Sequence, residues 1–448
     1  MSGHREQATT HLSQLGTFAA SGLLATGLLF ALRLAKNVLF TRLLGPEGRG
    51  VYGLLMTVPT LVVSFGNLGF GLGSVYLAAK KKADPRALLG NILAFALVHG
   101  GVLCLVGVGL YRLQAAGLLT LDGADTIHGF VLASIPLLLF HNLGIDLLMA
   151  YKAIHFLNVL KVVFSTLPMA VMLGLFLLTG DTLTASLYSW PVSLAVVGIL
   201  AFGRLRGLAG GPPRVRPALA GQALRFGLRG TVSQFANSIS RRVDVLFLAH
   251  YWGAEAVGYY AAAVSLAEII LAVSETVSTP FLPIRLGMDD EAGRRFSPLV
   301  IAHVLPVMAV ICLCAAVAAK PAILVLFGRD FSPSLWPMIL LLPGVLALSL
   351  YDFLKTDVLG LGRPGFISLV SVAAMVLNLG LNVLLIPEHG PAGAAMASSA
   401  AYGLSCVCLL GFVSRKTGTR LAAMLFPGRT ERAFLAGRIR SLLDRRRS

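Results

Sequence analysis

Charged side chains set in apolar sequence are where this chain could do chemistry. Arg33 and Lys36 stand three apart, with Asn37 beside them, inside the apolar run from Leu23 to Phe40. Helix spacing puts them on one face. A second run carries Gln234, Asn237, Arg241 and Asp244 at offsets of three, four and three, one polar stripe on a helix otherwise rich in Val, Leu and Phe. Arg241 and Asp244 are close enough on that stripe to pair. Arg242 points elsewhere. An arginine fork suits a phosphate or a carboxylate, so the two stripes offer recognition of an anion.

Acidic groups are embedded as well. Glu268 and Glu275 are seven apart, hence on one helix face; Asp352, Lys355 and Asp357 cluster; Asp146 and Lys161 stand in other apolar runs. Embedded carboxylates carry protons or sodium in coupled transporters, and they pair equally well with lysines. Glu268, Glu275, Asp352 and Asp357 are candidates for ion coupling on that ground. His99, His141 and His303 read as packing or hydrogen-bonding residues. The cysteines Cys104, Cys312, Cys314, Cys406 and Cys408 all lie in apolar stretches. Cys-x-Cys on a helix points two thiols to different faces, so no metal site is expected. No Gly-rich phosphate loop precedes a Lys-Ser/Thr pair. Without any catalytic constellation, an enzyme is not expected, and no cofactor is implied.

The elements that hold these groups must cross a membrane. Of 448 residues, 56% are hydrophobic and only 13% charged, and the mean hydropathy is +0.81. A soluble domain would carry about a quarter charged residues. A span needs about 20 mainly apolar residues. About twelve such stretches begin near Leu15, Val51, Leu88, Ile127, His155, Leu183, Gln222, Gly258, Pro298, Leu335, Gly365 and Pro391. The start lacks a basic region and a small-residue cleavage site, so the first stretch reads as a retained helix. A charge at mid-bilayer costs about 2.5–3.5 kcal/mol or more, so the charged groups should face a cavity rather than lipid.

The net charge of +17 reports orientation. Basic residues in short loops mark the cytoplasmic side. They cluster at Lys80–Lys82 with Arg86, at Arg204, Arg206, Arg214 and Arg216, at Arg285, Arg294 and Arg295, and after Val413. These clusters follow about two, six, eight and twelve spans, all even, so both termini are expected in the cytoplasm. The loops around Asp122, Asp181, Glu255 and Glu388 are poor in Lys and Arg. Topology accounts for the charge, and nucleic acid is not an expected partner. The tail suits an interfacial helix on anionic lipid, with Phe434, Leu435, Ile439, Leu442 and Leu443 between arginines, or equally a frayed basic tail.

The chain also repeats. A shift of about 208 overlays Phe18 on Phe226, Gly22 on Gly230, Arg33 on Arg241, Gly45 on Gly253, Glu47 on Glu255, Gly50 on Gly258 and Tyr52 on Tyr260. A weaker match at about 210 pairs Phe156 with Phe366, Gly180 with Gly390 and Ala185 with Ala395. Two six-helix halves follow, parallel repeats with a substrate site at their interface. Lys36 takes the place of Asp244, so the halves differ and the cavity is biased positive. The expected organisation is an all-α polytopic protein: N-terminus 1–14, helices 1–6 over 15–203, a linker at 204–221, helices 7–12 over 222–412, and a basic tail at 413–448.

Thr41-Arg-Leu-Leu-Gly-Pro-Glu-Gly-Arg-Gly-Val-Tyr52 resembles the segment after the first helix of bacterial oligosaccharide flippases, which share a superfamily with multidrug and toxin extruders. Gly253-Ala-Glu-Ala-Val-Gly-Tyr-Tyr260 looks like its second-half version. Gly360-Leu-Gly-Arg-Pro364, Asn378, Asn382, Ile386-Pro387 and Gly393-Ala-Ala395 follow in order, and the resemblance spans nearly the whole chain. It implies two six-helix lobes in a V across a cationic cavity, in a bacterial inner membrane. The implied substrate is a polyprenyl-diphosphate-linked oligosaccharide, flipped from cytoplasm to periplasm for surface polysaccharide, with a polymerase and export machinery as possible partners. Helices one, two, seven and eight would line the path, which places Arg33, Arg241 and Glu275 on three of them. The basic tail departs from peptidoglycan-precursor flippases, which carry two more apolar helices. A cation-coupled drug extruder and a non-transporting scaffold remain the alternatives.

Overall fold

The computed structural model describes residues 2–114, 134–228, 231–286 and 290–418. Among the described residues every regular element is helical: α1 (Ser2–Gly66), α2 (Phe70–Ala79), α3 (Pro85–Ala94), which runs through a π-turn (Phe95–His99) into α4 (Gly100–Gln114), α5 (Ile135–Ala150), α6 (Ile154–Thr179), α7 (Thr182–Ala209), α8 (Pro217–Gly227), α9 (Thr231–Ser240), α10 (Val243–Leu286), α11 (Asp290–Leu326), a 3-10 turn (Arg329–Ser334), α12 (Leu335–Gly360) and α13 (Pro364–Thr417). Seven helices are long and apolar enough to cross a membrane, or eight if α1 and α2, bent by 52° at their junction, count as one more. Apolar side chains such as Leu177, Leu178 and Val317 point outward, about four-fifths exposed. That is how a protein solvated by lipid is built, and the chain is a multi-pass membrane protein.

Three of the long helices double back. α1 is continuous except at Gly45, whose φ of 65° and ψ of −179° belong to no helix, with Pro46 behind it. A straight helix would hold Phe40 and Tyr52 about 18 Å apart, yet their ring centroids lie 5.3 Å apart. α1 is therefore a hairpin of two antiparallel segments. α10 makes the same turn at Gly253, with φ 78° and ψ −175°. Across it the Tyr260 hydroxyl donates to Asp244 Oδ2 at 2.5 Å, where a straight helix would separate the two residues by about 24 Å. Only glycine adopts such a φ without a steric penalty. α13 turns at Gly390, between Pro387 and Pro391, and a Cβ on Gly393 would lie 2.3 Å from Leu385 O.

The turns at Gly45 and Gly253 are equivalent in the sequence repeat, and they meet. A Cβ on Gly50 would lie 1.7 Å from Ala254 O, and one on Gly258 would lie 1.9 Å from Pro46 O. The repeat equates Pro46 with Ala254 and Gly50 with Gly258. One contact is thus made twice with roles exchanged, which is what a local two-fold produces. The apolar core divides along the same line. One large buried cluster draws on residues between Val63 and Ala223. Two others draw on residues between Leu248 and Val413.

The basic segment before α8 is docked rather than free. The buried Asn91 amide donates to Arg216 O at 3.0 Å and accepts from Arg216 N at 2.8 Å. Arg214 N donates to Arg86 O, Arg86 Nη2 donates to Gly210 O at 2.6 Å, and Arg216 faces Asp84 at 3.8 Å. α8 then packs on α2 and α3, while α9 packs on α13. The backbones of Gly69 and Gly227 touch, since a Cβ on either would lie within 2.3 Å of the other's carbonyl oxygen.

Arg285 corrects the charge-based reading. It is not a loop residue: α10 continues through it, it is 2% exposed, and its Nε donates to Asp357 Oδ1 at 2.9 Å. Packing of α10 on α12 buries the pair. The loop around Asp122, the side chains of Arg294 and Arg295, and the tail helix suggested by Phe434 to Leu443 lie outside the described residues.

Candidate functional site: a cationic cavity between two hairpins

The α1 and α10 hairpins pack on each other through their tips and diverge below them around a cavity. A chamber of about 540 Å³ lies between the first segment of α1, the second segment of α10, and α5 with α6. Arg33, Lys36, Lys161 and Arg241 line it with Glu268 and Glu275. A second chamber of about 370 Å³ lies nearer the tips and shares Lys36, Asn37, Arg241 and Glu268. It adds Arg49, Arg242, Tyr52 and Trp190. A third recess of similar size, lined by Gln234, Asn237, Asn142 and Asn67, opens from Arg241 toward α2. Across the first two chambers, cations outnumber carboxylates: Arg33, Lys36, Arg49, Lys161, Arg241 and Arg242 face Glu268 and Glu275.

The structure therefore brings Arg33, Lys36, Asn37, Gln234, Asn237, Arg241, Glu268 and Glu275 to one continuous space. It places two other candidates, Asp244 and Asp357, elsewhere. Asp244 is 2% exposed and accepts from Tyr260 at 2.5 Å and from Ser398 at 3.4 Å. It ties the α10 hairpin to α13 in place of the pairing with Arg241 expected from helix spacing. Asp357 is held by Arg285 at 2.9 Å, so its charge is spent on packing. Asp352, half-buried on α12, is near enough to Lys355, Arg241 and Glu275 to interact with their charges.

Arg242 reverses its sequence reading, because residues 241–242 are a turn between α9 and α10 rather than helix. Arg242 N bonds Ile239 O, and Arg241 N bonds Asn237 O. Two successive arginines can then both reach the cavity. Arg49 carries no helix-spacing signal in the sequence. It lies in the Gly-Pro-Glu-Gly-Arg-Gly segment, which reads as a loop, yet it is only 8% exposed. Its guanidinium stands 5.6 Å from the Tyr52 ring, and its Nε has no hydrogen-bond partner among the described residues. The available signal was its place four residues after a repeated glycine turn, which puts it inside the hairpin. No group of three or more His, Cys, Asp or Glu among the described residues is arranged to hold a metal.

Comparison with known proteins gives the family and the fold. Residues 19–283 match the family described as "Polysaccharide biosynthesis protein". A segment of 96 residues is 31% identical to the probable low-salt glycan biosynthesis flippase Agl15 of Haloferax volcanii; it spans 20% of each chain. The fold matches an inward-facing multidrug resistance MATE family transporter of the MOP superfamily, with a TM-score of 0.73 at 12% identity over 87% of this chain and 94% of that one. It also matches the lipid II flippase MurJ in an inward closed conformation, with a TM-score of 0.65 at 12% identity over 90% of each chain. The family match covers more than half of the sequence, and the chain belongs to the polysaccharide biosynthesis protein family, with the fold of MOP-superfamily transporters.

Proposed function

We propose that this protein flips a polyprenyl-diphosphate-linked oligosaccharide across a bacterial inner membrane, for surface polysaccharide such as O-antigen, capsule or exopolysaccharide. The observation that carries the proposal is the pair Arg33 and Arg241. They are equivalent in the repeat, and both face one cavity at the interface between the repeats. A diphosphate is the anionic part of such a lipid, and guanidinium forks bind it through charge-assisted hydrogen bonds. The glycan-flippase relative and the family match support the class of cargo.

Each glycine-turned helix counts as two crossings, and the short apolar helix Ile135–Ala150 as one. That gives about twelve crossings, six in each half, with both termini cytoplasmic. The glycine tips then lie at the outer face. Their backbone contact closes the cavity outward, the state from which cargo loads from the cytoplasm. Rocking of the halves would part the tips and release cargo on the far side. Glu268 and Glu275, the carboxylates inside the cavity, are the proposed coupling groups. The partners in this scheme are the lipid-linked glycan, the bilayer, and a polysaccharide polymerase with its export machinery.

The test is flipping of a lipid-linked oligosaccharide by purified protein in liposomes. Each charged hydrogen bond lost costs about 1.5–3 kcal/mol, so Arg33→Ala and Arg241→Ala should each weaken transport by about ten- to a hundredfold. Normal flipping by the double variant would overturn the assignment. A cation-coupled drug extruder would instead need a cavity that attracts cations, and a scaffold would show no flipping in liposomes.

A further inference from the structure

The two chambers adjoin, but Arg33 and Arg49 stand too far apart for one diphosphate to bridge them. Along the α1 hairpin, Arg33 lies twelve residues before Gly45 and Arg49 four residues after it. At 1.5 Å per residue their Cα atoms differ by about 12 Å in depth. Helical side chains also lean toward the N-terminus of their own segment. The two segments are antiparallel, so Arg33 leans away from the tips and Arg49 leans toward them, which widens the gap.

The tip-side chamber is equipped for a different part of the cargo. Arg49 is more than nine-tenths buried, lines the chamber, and keeps a buried Nε–H without a partner among the described residues. An orphaned charged donor is costly to maintain, which points to a ligand acceptor that completes it. Tyr52 and Trp190 line the same chamber with aromatic rings. Thr57 and Thr60 spend their hydroxyl protons on Gly53 O at 2.8 Å and Met56 O at 2.7 Å. Both line the chamber, and the half-buried Thr60 keeps its oxygen as an acceptor there. Arginine, aromatic rings and a hydroxyl acceptor together suit a sugar ring that bears a carboxylate.

Resting on the flippase reading, we propose that the tip-side chamber is a second anion subsite, in which Arg49 binds the carboxylate of an acidic sugar while Arg33 and Arg241 hold the diphosphate. The protein would thus select for negatively charged oligosaccharides.

The experiment uses full-length protein in nanodiscs, with inorganic pyrophosphate, D-glucuronate and D-glucose as probes, followed by ligand-observed NMR and calorimetry. Glucuronate should bind at least tenfold more tightly than glucose, and saturating pyrophosphate should leave it bound. Arg49→Gln should weaken glucuronate at least tenfold and pyrophosphate less than threefold, and Arg33→Ala should do the reverse. Displacement of glucuronate by pyrophosphate would show a single anion site and overturn the inference. Equal binding of glucose, or loss of both anions in Arg49→Gln, would overturn it too. The two-probe occupancy test uses the unmodified protein and does not depend on Arg49→Gln folding. Pyrophosphate binding without glucuronate binding defeats this inference alone, whereas absence of both pyrophosphate binding and lipid flipping defeats the flippase reading beneath it.

Discussion

A single methyl group at the hairpin tips should open them. In the structure, a Cβ on Gly50 would sit 1.7 Å from Ala254 O and 2.5 Å from Ala254 C, and one on Gly258 would sit 1.9 Å from Pro46 O. Both neighbours are backbone, so no rotamer relieves the overlap. To restore ordinary contact the tips must separate by roughly 1.5 Å, and overpacking of this kind costs about 1–3 kcal/mol. Every 1.4 kcal/mol is tenfold in an equilibrium, so Gly50→Ala or Gly258→Ala should shift the closed-tip population by about five- to a hundredfold. Because the contacts are reciprocal, the double variant should cost little more than either single one: once the tips are apart, the second methyl meets nothing. Gly53→Ala is the control, since its Cβ would lie 3.7 Å from Val257 Cγ1, an ordinary contact. Spin labels on the two tips, read by pulsed electron resonance, measure the opening. A closed-tip distance distribution unchanged in Gly258→Ala, or a double variant that sums the two singles, would refute the reasoning.

Other contacts make shorter predictions. Arg42 Nε donates to Leu326 O at 2.7 Å, and its Nη2 donates to Val325 O. The side chain caps the C-terminal end of α11 from the α1 hairpin, so Arg42→Ala should favour open tips by about 0.3–1 kcal/mol, seen as a several-fold population shift with the same labels. Asn91→Ala leaves the Arg216 backbone unpaired and should cost about 1–3 kcal/mol. Limited proteolysis should then cut 210–216 in the variant and spare the parent. Arg285→Leu leaves Asp357 as a buried charge without its arginine and should cost about 3–5 kcal/mol, most of it regained by pairing it with Asp357→Leu; melting temperatures decide. Asp181 caps α7 by accepting from Leu183 N at 2.9 Å. The Thr184 hydroxyl holds its carboxyl below the ordinary range. A lowered carboxylate pKa stabilises above the unfolded value and loses that contribution as pH falls through the folded one. Asp181→Ala should therefore cost about 1 kcal/mol at pH 7 and progressively less below about pH 4.

The parts of the fold legible in the sequence were those written as pattern. Apolar run length gave the helices, and the match of Gly45 to Gly253 gave the two equivalent turns, whose backbone angles agree within about 15°. Helix periodicity placed Arg33, Lys36 and Asn37 on one face, which the cavity lining retains. It misplaced Arg242 because it assumed a helix where the chain turns between Ser240 and Val243. Partner choice was not legible. Whether Asp244 joins Arg241 or Tyr260, and whether Arg285 meets water or Asp357, depends on hairpin return and on helix packing between distant segments. Arg49 escaped for the same reason, since its burial follows from the two hairpins meeting rather than from its neighbours in sequence.

The polarity of the cavity follows from one difference between the repeats. Tyr52 and Tyr260 are equivalent, as are Lys36 and Asp244. In the second copy, Tyr260 donates across its hairpin to Asp244, and Ser398 holds the same carboxylate oxygen. That carboxylate is thereby turned into α13. In the first copy the equivalent position is Lys36, a donor only. It cannot accept from Tyr52, so the bond that closes the second hairpin has no counterpart there. Tyr52 packs instead against Phe40 at 5.3 Å and under Arg49, while Lys36 joins the shared wall of both chambers. Position 49 diverges in the same sense, with arginine where the second copy has Val257. A lysine in place of a carboxylate therefore changes more than one charge: it adds a cation to the site and leaves Tyr52 to pack under a buried arginine. The repeated turns shape the cavity, and the divergence between copies gives its lining an excess of cations.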